Sequence, residues 1–167
     1  MNGTISRKNV LSALAGFGLA AAAVRPADAS SRGVTGAWKL ESFDMLLRGG
    51  KKQPRYGSDP VGYLIYTPSG RVSATLQAAH RASLNVPGAT PGSETHCEES
   101  VTSFLAYAGT YSIRGNRVFH KLETCVFTSL VGTTLEREFD LAGDTLTIKT
   151  VPPFIWGNQS ILVWRRA

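Results

Sequence analysis

The sequence predicts an all-β domain over residues 30–167, built from antiparallel strands as a sandwich or a barrel, with one short helix in a loop insertion. Two observations lead to this prediction. Short runs rich in β-branched and aromatic residues alternate with Gly, Pro and Asn turn signals, which is typical of such folds. The chain of 167 residues is 43% hydrophobic and 18% charged, a composition that favours one packed domain over disorder.

Residues 1–29 are predicted to form a removable signal peptide. The cations Arg7 and Lys8 precede an uncharged, largely apolar run over residues 10–24, and residues 27–29 read Ala-Asp-Ala, the small-x-small pattern of a cleavage site. The run is shorter than the about 20 apolar residues that cross a bilayer as a helix. We therefore expect an exported protein, periplasmic or secreted, with no stable membrane insertion after cleavage.

Two export routes fit this leader. Residues 6–11 read Ser-Arg-Lys-Asn-Val-Leu, which resembles a twin-arginine signal with Lys8 in place of the second arginine. An ordinary Sec-type signal fits the same residues. Either route leads to a compartment that permits disulfides, so Cys97 and Cys125 are compatible with a disulfide or with two buried free thiols.

The charge of the chain argues against nucleic acid as a partner. The formal net charge is +6, and removal of the leader takes away three cations and one anion, which leaves +4. No segment interleaves Lys or Arg with aromatic residues, as single-strand binders do. A local cluster of Arg48, Lys51, Lys52 and Arg55 is typical of a solvated loop.

Eight runs of the chain have the composition of strands. The turn Pro68-Ser69-Gly70 joins the second and third runs into a hairpin, since Pro presets φ and Gly lets the turn close. Gly115-Asn116 and residues 142–144 mark two further turns. The predicted strands are residues 38–47, 61–67, 71–76, 109–114, 117–127, 133–140, 145–150 and 160–166. In the first strand, Trp38, Leu40 and Ser42 are expected on one face.

The predicted helix lies between the third and fourth strands. Residues 77–92 are rich in Ala, Pro, Gly and Asn and are expected to form a long surface loop. Thr95 and Glu98 then make a capping box. Apolar residues follow at helical spacing, namely Val101, Phe104, Leu105 and Ala108.

Several ordered motifs carry a family resemblance. They are residues 36–40 (GAWKL), 62–71 (GYLIYTPSGR) and 104–111 (FLAYAGTY), followed by His120, Gly132, Arg137, residues 144–146 (DTL) and residues 162–165 (LVWR). With these motifs, nearly all of the mature chain resembles the bacterial and fungal lipocalin-like domain proteins. The resemblance implies an eight-stranded barrel with a central cavity. It also implies that Trp38 closes one end and that a C-terminal arginine, Arg165 or Arg166, stacks over it.

Strand alternation places two polar residues inside the fold. Charged side chains are expected to face water, and successive residues of a strand point to opposite faces. In the run that begins at Arg117, this puts His120 inside. In the next run, Glu136 and Glu138 mark the outer face, so Arg137 points inward. The same alternation places Val118, Leu122 and Thr124 on the inner face with His120. It places Leu135 and Phe139 on the inner face with Arg137.

Each of these residues has two interpretations. Arg137 either binds a ligand carboxylate, enolate or phenolate through its guanidinium, or bonds backbone carbonyls as a plug at a barrel end. His120 is either a general acid or base, or a hydrogen-bonded interior histidine. Four tyrosines are candidates for a cavity wall or for core packing, namely Tyr63, Tyr66, Tyr107 and Tyr111. Tyr63 and Tyr66 lie on opposite faces of one strand, so at most one of these two points inward.

No metal or cofactor is predicted. The sequence contains no Cys-x-x-Cys, nucleophile elbow, phosphate loop or dinucleotide fingerprint. His96, Cys97, Glu98 and Glu99 are adjacent in sequence, whereas metal ligands on a helix recur at three or four residues.

The predicted function is the binding of a small, mainly apolar or amphipathic molecule, with Arg137 and His120 orienting its polar end. The alternative is a cofactor-free isomerase or cyclase that uses the same cavity and the same two residues.

Overall fold

The computed structural model describes residues 33–81, 101–154 and 157–167. These residues form one antiparallel sheet of nine strands in the order β2-β1-β3-β4-β5-β6-β7-β8-β9, and β1 also pairs with β9. Eight long strands thus close into a barrel, to which the short β2 is added at one rim. The strands are β1 (Gly36–Leu46), β2 (Lys52–Pro54), β3 (Val61–Tyr66), β4 (Arg71–Gln77), β5 (Phe104–Arg114), β6 (Arg117–Cys125), β7 (Thr134–Ala142), β8 (Thr145–Thr150) and β9 (Gln159–Arg166).

All eight predicted strands are present, which confirms the all-β prediction. β2 lies in what was expected to be a loop, and its three residues are all exposed, so no hydrophobic pattern marks it. No helix of the described ranges is long and apolar enough to cross a membrane. The leader and most of the predicted 77–92 loop lie outside the described residues.

The predicted helix is wrong from Phe104 onward. β5 begins there and pairs with β4, with Leu105 opposite Leu76. The capping box falls outside the described residues, and within them the helical element with defined bounds is a 3₁₀ turn, Thr128–Leu130. β5 has apolar residues on both of its faces, with Leu105 buried and Phe104 and Ala108 half-buried. Apolar residues on both faces produce spacings that also fit a helical period.

A second bulge corrects the inner face predicted for β1. Trp38 and Leu40 are buried as expected, but the register shifts between Leu40 and Ser42. Phe43 and Met45 therefore take the next inward positions, and Ser42 is only partly buried. The extra residue of a bulge reverses which positions face inward beyond it.

Trp38 and Arg166 close one end of the barrel. Trp38 is completely buried, and its indole N–H donates to the carbonyl of Val34 at 2.8 Å. The Arg166 guanidinium lies over the Trp38 ring, 4.2 Å from its centroid. Of the two candidate arginines, Arg166 is thus the one that stacks, while Arg165 pairs with Glu41 on the outer surface.

The connections between strands differ at the two ends. At the end closed by Trp38, the hairpins turn at residues 67–70, 115–116 and 143–144. The longer connections, such as residues 126–133, meet at the opposite end. Because loops carry binding residues more often than tight turns do, this second end is the natural entrance to the interior.

Candidate functional site

A narrow cavity occupies the barrel, mostly in the half that faces the long connections. Its interior volume is about 40 Å³, and the space between the wall atoms is about 570 Å³ when the mouth that opens to solvent is included. The cavity therefore suits a slender ligand. Its apolar wall consists of Phe43, Leu64, Leu76, Leu105, Leu130, Leu135, Ile148, Leu162 and Trp164.

Five polar residues complete the wall. Thr150 and Ser160 bond within the protein, since the Ser160 backbone N–H donates to the Thr150 hydroxyl at 2.7 Å and the Ser160 hydroxyl contacts the Met45 sulfur at 3.4 Å. The other three are Tyr107, His120 and Arg137. They come from the adjacent strands β5, β6 and β7, which place them side by side on the inner surface.

His120 points inward, as the alternation predicts, and is 1% exposed. Its Nε2 lies 2.8 Å from the hydroxyl of Tyr66, and its Nδ1 lies 2.9 Å from the hydroxyl of Tyr107. Burial, assisted by the positive charge of Arg137, lowers the pKa of His120 to about 3. The imidazole is therefore neutral at physiological pH, and both of its nitrogens have partners.

Arg137 also points inward from β7, where it lies opposite Val118 of β6. Its Nη1 donates to the backbone carbonyl of Glu136 at 2.8 Å. Burial lowers the pKa of Arg137, yet a guanidinium stays charged in proteins. Among the described residues, Arg137 has no carboxylate within salt-bridge distance. The site therefore holds a half-buried cation with one carbonyl partner among the described residues and several free donors.

The four candidate tyrosines occupy different places. Tyr107 lines the cavity, and burial raises its pKa to about 12. Tyr66 is 2% exposed and reaches the cavity only through His120. Tyr111 lies nearer the closed end, where its ring packs against Tyr66 at 4.7 Å and its hydroxyl donates to the Thr67 carbonyl at 3.1 Å. Tyr63 points outward and is 49% exposed, which removes it from the candidate site.

The five neighbours expected beside His120 and Arg137 need one correction. Val118, Leu122 and Leu135 are buried and Phe139 is half-buried, but Thr124 is exposed. Gly109 pairs with Leu122 and Ala108 with Thr124, so Glu123 is the extra residue of a bulge in β6. The extra residue reverses the faces beyond it, and the inward alternation of β6 therefore ends at Leu122.

A profile described as "Lipocalin-like domain" matches residues 35–167 of the chain. The chain belongs to this family. The resemblance carried by the ordered motifs is thereby confirmed.

Two known proteins illustrate what this lipocalin-like chain is similar to. The 4'-hydroxy-3'-methoxypropiophenone carrier protein of Aspergillus oryzae is 28% identical over 86 residues, which cover 45% of this chain and 78% of that protein. A lipocalin-like protein from Bacteroides uniformis, known from its crystal structure, is 12% identical with a TM-score of 0.45. The match covers 81% of this chain and 99% of that one.

Sequence reasoning missed several wall residues of this lipocalin-like barrel, among them three from the last two strands. Thr150 ends the inward row of β8, and Ser160 and Trp164 belong to the inward row of β9. In β8, Lys149 marks the outer face and was the available signal, whereas β9 ends in two adjacent arginines that mark neither face. Among the described residues, the buried Trp164 Nε1 has no hydrogen-bond partner.

Metal ligands and cysteines add little to the site. Within residues 33–81, 101–154 and 157–167, no group of three or more His, Cys, Asp or Glu side chains is placed to hold a metal ion. His96 and Cys97 lie outside these ranges. Cys125 is half-buried and has no disulfide partner among the described residues, and its pairing with Cys97 stays a prediction.

Proposed function

We propose that this lipocalin-like protein binds and carries a small, mainly apolar molecule whose polar end meets Arg137 inside the barrel. The observation that carries the proposal is the state of Arg137. Its side chain is half-buried on the wall of a largely apolar cavity, with one carbonyl partner and, among the described residues, no carboxylate. A partly desolvated charge is stabilised by pairing and hydrogen bonding, so an oxygen atom of a ligand would stabilise this arrangement.

The dimensions and composition of the cavity support a slender ligand with one ring or one chain. Apolar walls supply most of the affinity through burial, and a few polar groups fix the orientation. The Aspergillus oryzae relative is named as a carrier of 4'-hydroxy-3'-methoxypropiophenone, which is a single aromatic ring with oxygen substituents. A ligand of that size and class fits the proposal for this chain.

The geometry favours binding over the alternative of an isomerase or cyclase. A general base needs a free lone pair within reach of the substrate proton. Both nitrogens of His120 are bonded to tyrosine hydroxyls. A pKa near 3 also makes the imidazole a weak base. His120 therefore supports the wall of the cavity and is poorly suited to carry a proton to or from a substrate.

We also propose that the protein works outside the cytoplasm, because residues 1–29 have the charge pattern and cleavage motif of an export signal. The intact mass of the protein from its host tests this directly. Cleavage before Ser30 is the expected result, and a full-length cytoplasmic protein would contradict it.

Native mass spectrometry of the purified protein tests the carrier function. The protein is measured as isolated, and then after addition of 4'-hydroxy-3'-methoxypropiophenone, 4-hydroxybenzoate and decanoate as three probes of different shape. We expect one molecule per chain for at least one probe or for a copurified compound. An empty barrel under all of these conditions would contradict the proposal.

A further inference from the structure

Three side chains form a continuous hydrogen-bonded chain from the barrel core to the cavity. The Tyr66 hydroxyl lies 2.8 Å from Nε2 of His120, and Nδ1 of His120 lies 2.9 Å from the Tyr107 hydroxyl. Tyr66 and His120 are 2% and 1% exposed, so water does not reach them readily. Tyr107 is the member that stands on the cavity wall with His120.

The direction of this chain follows from the protonation of His120. A neutral imidazole donates through one nitrogen and accepts through the other, and each phenol has one proton to donate. In the described part of the chain, His120 is the hydrogen-bond partner of the Tyr66 hydroxyl. If Nε2 carried the proton, the Tyr66 O–H would be left buried without an acceptor, which is unfavourable.

The opposite direction gives both buried donors of these three side chains, the Tyr66 O–H and the His120 N–H, an acceptor. The Tyr66 O–H donates to Nε2, the proton of the imidazole is on Nδ1, and Nδ1–H donates to the Tyr107 oxygen. A doubly protonated ring is disfavoured because Arg137 faces His120 and no carboxylate does, and burial lowers the His120 pKa. The remaining free proton is that of the Tyr107 hydroxyl, at the cavity.

Two other donors line the same cavity. Arg137 can donate but never accept, and its Nη1 alone is engaged with a backbone carbonyl. Within the described part of the chain, the buried Nε1–H of Trp164 has no hydrogen-bond partner. Three donors from three different strands thus surround a cavity whose remaining surface is mostly apolar.

We infer that the Tyr66–His120–Tyr107 chain fixes Tyr107 as a hydrogen-bond donor, so that the cavity selects ligands whose polar end accepts hydrogen bonds, such as an aryl ketone or a carboxylate. Tyr107 and Arg137 are binding residues in this account, while Tyr66 and His120 are positioning residues. The assignment of a ligand class rests on the proposed carrier function. The direction of the hydrogen-bonded chain does not.

The direction is measured first, without any ligand. A two-bond ¹H–¹⁵N correlation spectrum of the histidine rings shows which nitrogen of His120 carries the proton. We expect a neutral ring protonated on Nδ1 from pH 8 to pH 5, and loss of this preference in Tyr66→Phe but not in the exposed control Tyr63→Phe. A proton on Nε2 in the unaltered protein would overturn the inference.

Selectivity is measured second, with 1-phenylpropan-1-one and propylbenzene as probes of nearly equal shape. We expect the ketone to bind about tenfold more tightly, the expected effect of a net hydrogen bond. Tyr107→Phe is expected to remove most of this preference with little change for propylbenzene, and Tyr66→Phe to reduce it. Tyr63→Phe should keep it.

The outcomes separate the two proposals. Equal binding of both probes by the unaltered protein would overturn the inferred selectivity while the carrier function stands. Absence of binding by either probe and by the three probes above would contradict the carrier function, and the ring spectrum would still decide the direction of the chain.

Discussion

The guanidinium of Arg166 lies over the ring of Trp38, 4.2 Å from its centroid, and closes the barrel at the end opposite the long connections. Arg166 also donates to the carbonyls of Gly33 and Thr35 and pairs with Asp144. One side chain thus ties the start of β1, the turn before β8 and the end of β9 together. Closure of this end leaves the opposite end as the route to the cavity.

Substitution of Arg166 tests the importance of this closure. We expect Arg166→Ala to lower the free energy of unfolding by about 1–2 kcal/mol, because it removes a cation–π contact and several hydrogen bonds. The matched control is Arg165→Ala, which breaks an exposed ion pair with Glu41 and should lower the free energy of unfolding by about 0–1 kcal/mol. Urea unfolding measures this free energy for both variants. An equal or larger loss in Arg165→Ala would contradict the account.

Substitution of Tyr66 tests the buried hydrogen-bonded chain. Tyr66→Phe leaves Nε2 of His120 without its partner, and an unsatisfied buried polar group costs about 1–3 kcal/mol. Tyr63→Phe, on the outer face of the same strand, should change the unfolding free energy by less than about 0.5 kcal/mol. Equal effects of the two changes in urea unfolding would show that the buried hydroxyl contributes nothing.

The low pKa of His120 predicts a dependence of stability on pH. The ordinary pKa of a histidine is 6.5 and that of His120 in the folded protein is about 3, so between these values the unfolded chain binds a proton that the folded chain does not. Stability therefore falls as the pH decreases from about 6.5 towards 3, by at most about 1.4 kcal/mol per pH unit.

Comparison with His120→Gln isolates this contribution from that of the carboxyl groups. The variant lacks the titrating ring, so the stability advantage of the unaltered protein should shrink steadily as the pH falls from 6.5 to 4. Chemical unfolding at several pH values gives this difference. A difference that stays constant over the range would rule out a strongly lowered pKa.

Gly109 is predicted to be required opposite the bulge in β6. A Cβ at this position would overlap the backbone carbonyl of Lys121 on β6, and backbone atoms of a barrel cannot move aside freely. We expect Gly109→Ala to destabilise the protein by about 1–3 kcal/mol. Ala106→Gly, on the same strand, is the control and should lower the unfolding free energy by about 1 kcal/mol or less. Thermal unfolding that ranks the two variants in the opposite order would contradict this role.

The strands and the two inward polar residues were predictable because charges mark one face. Arg117, Glu136 and Glu138 alternate with apolar residues, so His120 and Arg137 fall on the inner side with no further information. The errors at Ser42 and Thr124 both come from bulges, in β1 and in β6, whereas the helix predicted at Phe104 comes from apolar residues on both faces of β5. A bulge inserts one residue into a strand through its pairing with a neighbour, and a single sequence does not display that pairing.

The contacts of the site were less predictable than its residues. Tyr66 and His120 are 54 positions apart, and Tyr107 and His120 are 13 apart. Only the strand order brings them together. The unpartnered indole of Trp164 depends in the same way on β9 lying between β8 and β1. The alternation of residues along a strand shows on which face of the sheet a side chain lies. It does not show which side chains of other strands lie at the same level along the barrel axis.

The most direct test of the central claim is the affinity of a ligand for the unaltered protein and for Arg137→Met, measured by isothermal titration calorimetry with the probe that mass spectrometry shows to bind. Arg117→Met is the control, since Arg117 lies on the adjacent strand and pairs with Glu136 on the outer face. Loss of a hydrogen bond to a charged group predicts about tenfold to hundredfold weaker binding in Arg137→Met, with little change in the control. Equal affinity of Arg137→Met and the unaltered protein would contradict the claim that Arg137 anchors the ligand.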